Sequence, residues 1–350
     1  MKKVLSILSL ILIVFLLYGC TMPYNTVVSR KITFPKDMAP HRGYPVEWWY
    51  QTGYLYEKGE RSFPRFVYEF TAFRVYKPNS PNWPRLFVMP VGEVWNIHFV
   101  IHDLKTGDRR FIEDAFPPML YVLGPTVETS RECLDMKGSG ENIKFHFYGN
   151  TRNLYLDLKS GNNVEIHLKM TALKPPVLHN NGIISMIKGR SYYYSLTRIK
   201  VVGSVRFNDR YTVEGETWYD HQWGNFSARP WDWFSIRLNN DEEIMVFSFP
   251  NTNAEYGTLV KKDGTTIPLK DFNVTLKGKM LTPSGKIIPI PMPGTVTIPK
   301  IGAKFNIEAV SKVQFNNSRY TPPYWEGLCT VNGSLKGKSV RGFAFFEGWR

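Results

Sequence analysis

Cysteine is scarce, with only Cys20, Cys133 and Cys329 in 350 residues, and none falls in a Cys-x-x-Cys or similar spacing. That excludes a disulfide framework and a cysteine zinc site. There is also no Gly-x-Ser-x-Gly elbow, no phosphate loop and no dinucleotide fingerprint, so serine-hydrolase and nucleotide chemistry lose their sequence support. The net charge of +14 is spread along the chain. Without a dense basic run it does not mark a nucleic-acid arm, and no nucleic-acid partner is expected. After residue 17 no apolar run is long enough to span a bilayer, and no long amphipathic helix is visible.

The one long apolar run lies at the front. Met1-Lys2-Lys3 is followed by an uncharged, mainly apolar stretch from Val4 to Leu17, interrupted only by Ser6 and Ser9, and then by Leu17-Tyr18-Gly19-Cys20. A basic start, a run of this length and a small residue before cysteine resemble a bacterial lipoprotein signal. Residues 1–19 are therefore expected to be removed. Cys20 is expected to carry a lipid such as palmitate, with residues 20–31 as a tether and the body held outside the cytoplasm at a membrane. Whether Cys133 and Cys329 then pair is open.

What the chain has in abundance is aromatic side chains, at 15%, in short alternating runs bounded by glycine and proline. These are strand signals, and the fold class they predict is all-β. Glu47-Trp48-Trp49-Tyr50 and its hairpin have an echo in Asp232-Trp233-Phe234-Ser235 and the strand after it. An acid followed by two aromatics at the head of each hairpin predicts two related halves, 32–200 and 201–350. Lys174 to Gly182 and the proline-rich passage from Pro283 to Pro299 read as irregular.

The densest chemistry lies in Glu214 to Trp233, where Trp218, Tyr219, Trp223, Trp231 and Trp233 surround Asp220, His221 and Asp232. On a strand, Tyr219, His221 and Trp223 share one face while Trp218, Asp220 and Gln222 share the other; likewise Glu47, Trp49 and Gln51 oppose Trp48, Tyr50 and Thr52. Asp220 therefore cannot orient His221, and the imidazole needs a partner such as Glu47 or Asp232 from another strand. A carboxyl held among indoles has its charged form disfavoured, which suits it to general acid work near neutrality. Glu47, Asp220, Asp232 and Glu326 are the candidates. Aromatic pocket and aromatic core are both open readings of the same residues. Tyr192, Tyr194 and Arg198 share a strand face, where Arg198 could clamp an anion or make a structural ion pair. His98 and His102 tempt a metal reading, but four residues of strand span about 13 Å, too far for one ion. No metal or cofactor is expected.

Taken in order, Tyr44-Pro45-Val46-Glu47-Trp48-Trp49-Tyr50-Gln51-Thr52-Gly53, His98 to Asp103, Lys174-Pro175-Pro176, Ser191 to Ser195 with Arg198, Trp218-Tyr219-Asp220-His221-Gln222-Trp223-Gly224, Trp231 to Ser235 and Tyr324-Trp325-Glu326-Gly327 resemble the AttH-like and carotenoid 1,2-hydratase (CrtC-like) group. The resemblance implies tandem lipocalin-like (calycin) antiparallel β-barrels with a cavity for a hydrophobic lipid or isoprenoid. It also implies hydratase, hydrolase or isomerase chemistry on that ligand, or simple carriage of it. His221, Asp220, Glu47 and Asp232 would be the catalytic groups. Trp48, Trp49, Tyr50, Tyr192, Tyr194, Arg198, Tyr219, Trp223, Trp231, Trp233 and Trp325 would contact ligand. The group's usual glutamate on the final strand is replaced by Phe345, and a lipid anchor is foreign to the carotenoid enzymes, so carotenoid hydration itself is not expected. A non-catalytic carrier and a structural envelope protein are the rival expectations, and the oligomeric state is open.

Overall fold

The computed structural model describes residues 24–76, 93–116, 126–227, 230–250, 252 and 255–349. The signal and Cys20 lie outside these. Among the described residues there is no α-helix, only two single turns of 3-10 helix, at Lys36–Met38 and Pro299–Ile301. The first twelve strands are β1 (Val46–Glu57), β2 (Phe66–Tyr76), β3 (Glu93–Asp103), β4 (Arg109–Phe116), β5 (Thr126–Thr129), β6 (Leu134–Ser139), β7 (Lys144–Gly149), β8 (Asn153–Ser160), β9 (Val164–Ala172), β10 (Val177–Ser185), β11 (Lys188–Phe207) and β12 (Asp209–Ser227). The remaining ten are β13 (Trp231–Leu238), β14 (Glu243–Ser248), β15 (Glu255–Val260), β16 (Thr266–Leu269), β17 (Asn273–Leu281), β18 (Ile287–Ile298), β19 (Ala303–Ala309), β20 (Phe315–Asn316), β21 (Tyr324–Leu335) and β22 (Lys338–Trp349).

These form two antiparallel sheets. The first runs β4-β3-β2-β1-β12-β11-β9-β8-β7-β6-β5 with β10 beside β11; the second runs β16-β15-β14-β13-β22-β21-β19-β18-β17 with β20 beside β21. Laid side by side the orders coincide, β1 matching β13 and β12 matching β22, and even the side strands correspond. Among the described residues, the first sheet has only β5 and β6 in addition. The expected duplication is therefore a duplication of topology.

Each sheet curls into a near-closed, lipocalin-like barrel around its own apolar filling. Phe70, Phe147, Leu156, Ile166 and Val201 are among those filling the first, and Phe234, Ile244, Val296, Phe305 and Val331 the second. The first barrel is drawn shut by Asp114 on β4, whose carboxylate accepts the backbone N–H groups of Asn142 at 2.9 Å and Ile143 at 2.6 Å in the β6–β7 turn.

The sheets differ from the expected boundary. Residue 200 lies inside β11, and both β11 and β12 pair into the first sheet, so the changeover comes after Ser227. The Asp220–His221 strand thus belongs to the first barrel. Residues 24–31, expected as tether, are partly docked: the Val28 N–H donates to the Tyr192 hydroxyl at 3.1 Å and Val27 is buried in the first core. The stretch around Lys174 to Gly182 is largely strand β10, kinked at Asn180, Asn181 and Gly182, all with positive φ, where its register on β11 shifts. The proline-rich passage is strand β18. Its prolines at 289, 291 and 293 precede the segment laddered to β19, so the missing N–H groups fall where β18 has one free edge.

The two barrels meet along a third buried cluster. It is built from the outer faces of β1, β2, β10, β11 and β12 on one side and of β13, β14, β21 and β22 on the other, with Tyr50, Trp218, Trp233, Phe247 and Phe345 among its members. Glu243 on β14 pins this seam. Its fully buried carboxylate accepts Lys174 Nζ at 2.7 Å and Arg198 Nε at 2.5 Å, both from the first half. Arg198 is thus a structural ion pair between the sheets.

Candidate functional site

The alternation of β1 and β12 sorts the candidate residues into two separate places. The register sets Trp49 opposite His221 and Tyr50 opposite Asp220. One parity points into the first barrel, the other into the seam.

Inside the first barrel, Glu47 and His221 do come together, with His221 Nε2 2.9 Å from Glu47 Oε1. Glu47 also accepts His41 Nδ1 at 2.7 Å and Arg74 Nε at 2.9 Å. His41 in turn reaches Asp37 at 3.0 Å, which takes a bidentate pair from Arg30 at 2.8 Å. Burial would raise the pKa of Glu47, but Arg74 and His41 outweigh it and hold the carboxyl well below the ordinary range. That reverses the expectation of a neutral Glu47. Burial likewise opposes charge on His41, yet Glu47 and Asp37 prevail and its pKa is raised. His41, lying flat on Trp223 with ring centres 3.9 Å apart, stands between two carboxylates that favour its charged form. Burial pushes His221 down to about 4, against the pull of Glu47.

A neutral His221 donates its Nε2–H to Glu47 in a hydrogen bond, and its Nδ1 faces the Tyr194 hydroxyl at 3.2 Å. Both nitrogens are occupied and the ring, fully buried, stacks on Trp49. It has no free proton or lone pair to offer a ligand in this arrangement. Tyr192, Tyr219 and Trp223 belong to the same filling. Among the described residues, His41, Glu47 and His221 have ligand atoms within 4.8 Å of one another and form a trio a metal could bridge, although each of those atoms is already in a hydrogen bond.

The seam holds the other set. A cavity of about 40 Å³, with room for a few waters, has Trp48, Tyr50, Trp231 and Trp233 as its aromatic wall. Asp220, Glu69 and Glu347 also line it, and Trp48, Phe73 and Trp231 are partly exposed at its rim. Asp220 accepts Trp218 Nε1 at 2.6 Å, the Tyr193 hydroxyl at 2.7 Å and the Ser195 hydroxyl. Burial nevertheless wins over these three donors and raises its pKa to about 7. Glu347 is raised to about 8, by burial first and then by the negative charges of Glu69 and Asp220, while the Trp231 indole partly opposes the shift.

Two further acids stand behind. Glu69 accepts the Tyr324 hydroxyl at 2.5 Å and Asn316 Nδ2 at 2.8 Å, and burial still raises it. Glu326 lies well above the carboxylate range through burial and the neighbouring Glu347 and Glu69, and neither of its oxygens has a hydrogen bond of full geometry. Four carboxyls crowded into one largely buried seam disfavour one another's ionisation, so protons are retained there at neutral pH.

Of the expected catalytic groups, Asp220 thus lies in the seam, Glu47 and His221 in the first barrel, and Asp232 in neither. Asp232 has the parity of Phe234 and Ile236, which face the second core. Trp325 is also in that core. Glu69 and Glu347 were missed, although Tyr68-Glu69-Phe70 and Phe346-Glu347-Gly348-Trp349 carry the same acid-among-aromatics signal that marked Glu47 and Glu326. Phe345 stands where a glutamate was expected, and Glu347, two residues on, has the same strand parity.

The fold is shared with two solved structures. One is a protein assigned to AttH from Nitrosomonas europaea, 20% identical, with a TM-score of 0.73 over 93% of this chain and 99% of that one. The other is kievitone hydratase from Nectria haematococca, 18% identical, with a TM-score of 0.66 over 93% of this chain and 97% of that one. No curated protein sequence matches. The AttH-like family matches residues 25–348, from the docked segment before the first barrel to the last strand of the second, and the chain belongs to that family.

Proposed function

We propose that the protein is a hydratase-type enzyme that adds water across an alkene of a small apolar molecule, a lipid or isoprenoid, at the seam between its barrels. The observation that carries this is the pairing of Glu347 and Asp220, both raised into the neutral range, in a cavity walled by indoles. Glu347, mostly neutral at pH 7, would protonate one alkene carbon. The positive charge left on the other carbon would face the rings of Trp231 and Trp233, whose quadrupoles attract it. A cavity water would form the new C–O bond and pass its extra proton to Asp220, the more acidic partner; the proton then returns to Glu347 and the cycle closes. The cavity has room for water as it stands, so the alkene must part the rim side chains Trp48, Phe73 and Trp231 to enter. The similarity to a hydratase supports the reaction class, as does the family.

The test is incubation with prenylated phenols and unsaturated fatty acids in heavy-oxygen water. The labelled hydroxyl should appear in product, and Glu347→Gln should lower its rate by about 100- to 10,000-fold with ligand affinity little changed. Binding without label would make the protein a carrier; neither binding nor label would leave a structural envelope protein. We further propose, from Met1 to Cys20 alone, that the enzyme is an extracytoplasmic lipoprotein. Labelled palmitate should enter the wild type and not Cys20→Ser.

A further inference from the structure

Arg237 is an unexplained charge. It lies on β13 with the parity of Trp231, Trp233 and Ser235, hence on the seam face, and is 2% exposed. Its guanidinium sits 4.8 Å over the Tyr54 ring and 5.8 Å from that of Phe345. Nε, Nη1 and Nη2 are all buried without an acceptor. Leaving a buried guanidinium without an acceptor costs far more than its cation–π contacts return. The acids around it are committed elsewhere: Glu243, directly across on β14, is taken by Lys174 and Arg198, and Glu216 accepts Arg198 at 3.2 Å through one oxygen and the Tyr54 hydroxyl at 2.9 Å through the other. Two more seam hydroxyls, Thr52 Oγ1 and Ser235 Oγ, are also buried without partners. Directly against Arg237 a cavity of about 470 Å³ opens, lined also by Arg198, Arg341, Glu216, Tyr54, Phe63 and Phe343, so that three guanidiniums face one carboxylate.

We propose that Arg237 is the anchor of a carboxylate-binding site at the end of the seam remote from Glu347. A carboxylate matches the planar fork of the guanidinium and would supply the paired acceptors it lacks. Tyr54, Phe63 and Phe343 would cover the apolar or aromatic body of the same ligand. The site stands on its own residues and holds whether or not the seam hydrates an alkene.

The experiment compares decanoate with decanamide, alike in body and differing in charge, by calorimetric titration of wild-type protein and Arg237→Met. The wild type should prefer decanoate by at least about tenfold, as expected of a charge-assisted bidentate contact. Arg237→Met should lose that preference while melting at an equal or higher temperature, because an apolar side chain of similar length replaces an unpaired buried cation. If the variant does not fold, Arg237→Lys is the second test, keeping the charge but losing the fork and weakening decanoate alone. Equal binding of acid and amide by the wild type, or an undiminished preference in either variant, would overturn the proposal. A variant that melts lower without any change in ligand preference would also overturn it, showing Arg237 to be solvated internally as a structural cation.

Discussion

Replacing Asp220 by asparagine should change how the protein's stability depends on pH. In the unfolded chain this carboxyl ionises near 3.8, but in the folded protein burial holds it neutral to about 7. Between those values the native state binds one proton more than the unfolded state, so stability falls as pH rises, and the fall is complete above the folded pKa. At 1.36 kcal/mol per unit over about three units, the loss is about 4 kcal/mol. The asparagine side chain fills the same space and keeps a carbonyl for Trp218, yet has no charge to suppress. The stability of Asp220→Asn relative to wild type should therefore climb by about 4 kcal/mol between roughly pH 4 and pH 8. Urea unfolding followed by tryptophan fluorescence measures it, and taking the difference cancels every titration the two proteins share. Glu347 titrates within this range and will not cancel fully, since the Asp220 charge helps to raise it. A difference flat to within about 1 kcal/mol across that range would mean that the three hydrogen-bond donors defeat burial and Asp220 is ionised when folded, and the acid–base pairing at the seam would fall with it.

Glu47→Gln removes the carboxylate shared by His41, His221 and Arg74, leaving a fully buried guanidinium short of its partner. It should cost about 3–5 kcal/mol in the same urea measurement, and a change below about 1 kcal/mol would contradict the ion network as drawn. Cys133 is partly exposed in the first barrel and Cys329 is buried in the core of the second, both as free thiols. An aromatic disulfide reagent should therefore label one thiol in the folded body and a second only on unfolding; no labelling even in denaturant would reveal a disulfide.

The strands and their facing were legible because the aromatic and polar residues alternate so strictly. The two parities of Glu47–Thr52 and Trp218–Trp223 are those of the structure, and the partner that His221 required from another strand is Glu47. What alternation could not say was which face is the barrel interior. In an ordinary barrel strand one face meets solvent, but β1 and β12 are buried on both, since the second sheet covers the first. The imidazole therefore drew attention to a filled interior while Asp220, on the outward face, entered the seam. The half-way boundary failed for a related reason. β11 and β12 are long and continuous, and no turn signal at residue 200 betrays that they close the first sheet. Arg237 could not have been found from the sequence, because a lone arginine on a strand carries no sign that its guanidinium will be buried without an acceptor.

Only residues 228–230 connect β12 to β13, so the covalent leash between the barrels is very short. A protease nick there would leave two complementary fragments, each showing a greasy flank studded with acids, and each with its own closed filling. The pieces should behave as an obligate heterodimer. They would stay together while concentrated, held by Glu243 and the indoles, and precipitate or fall silent on dilution once the tether no longer supplies its effective concentration.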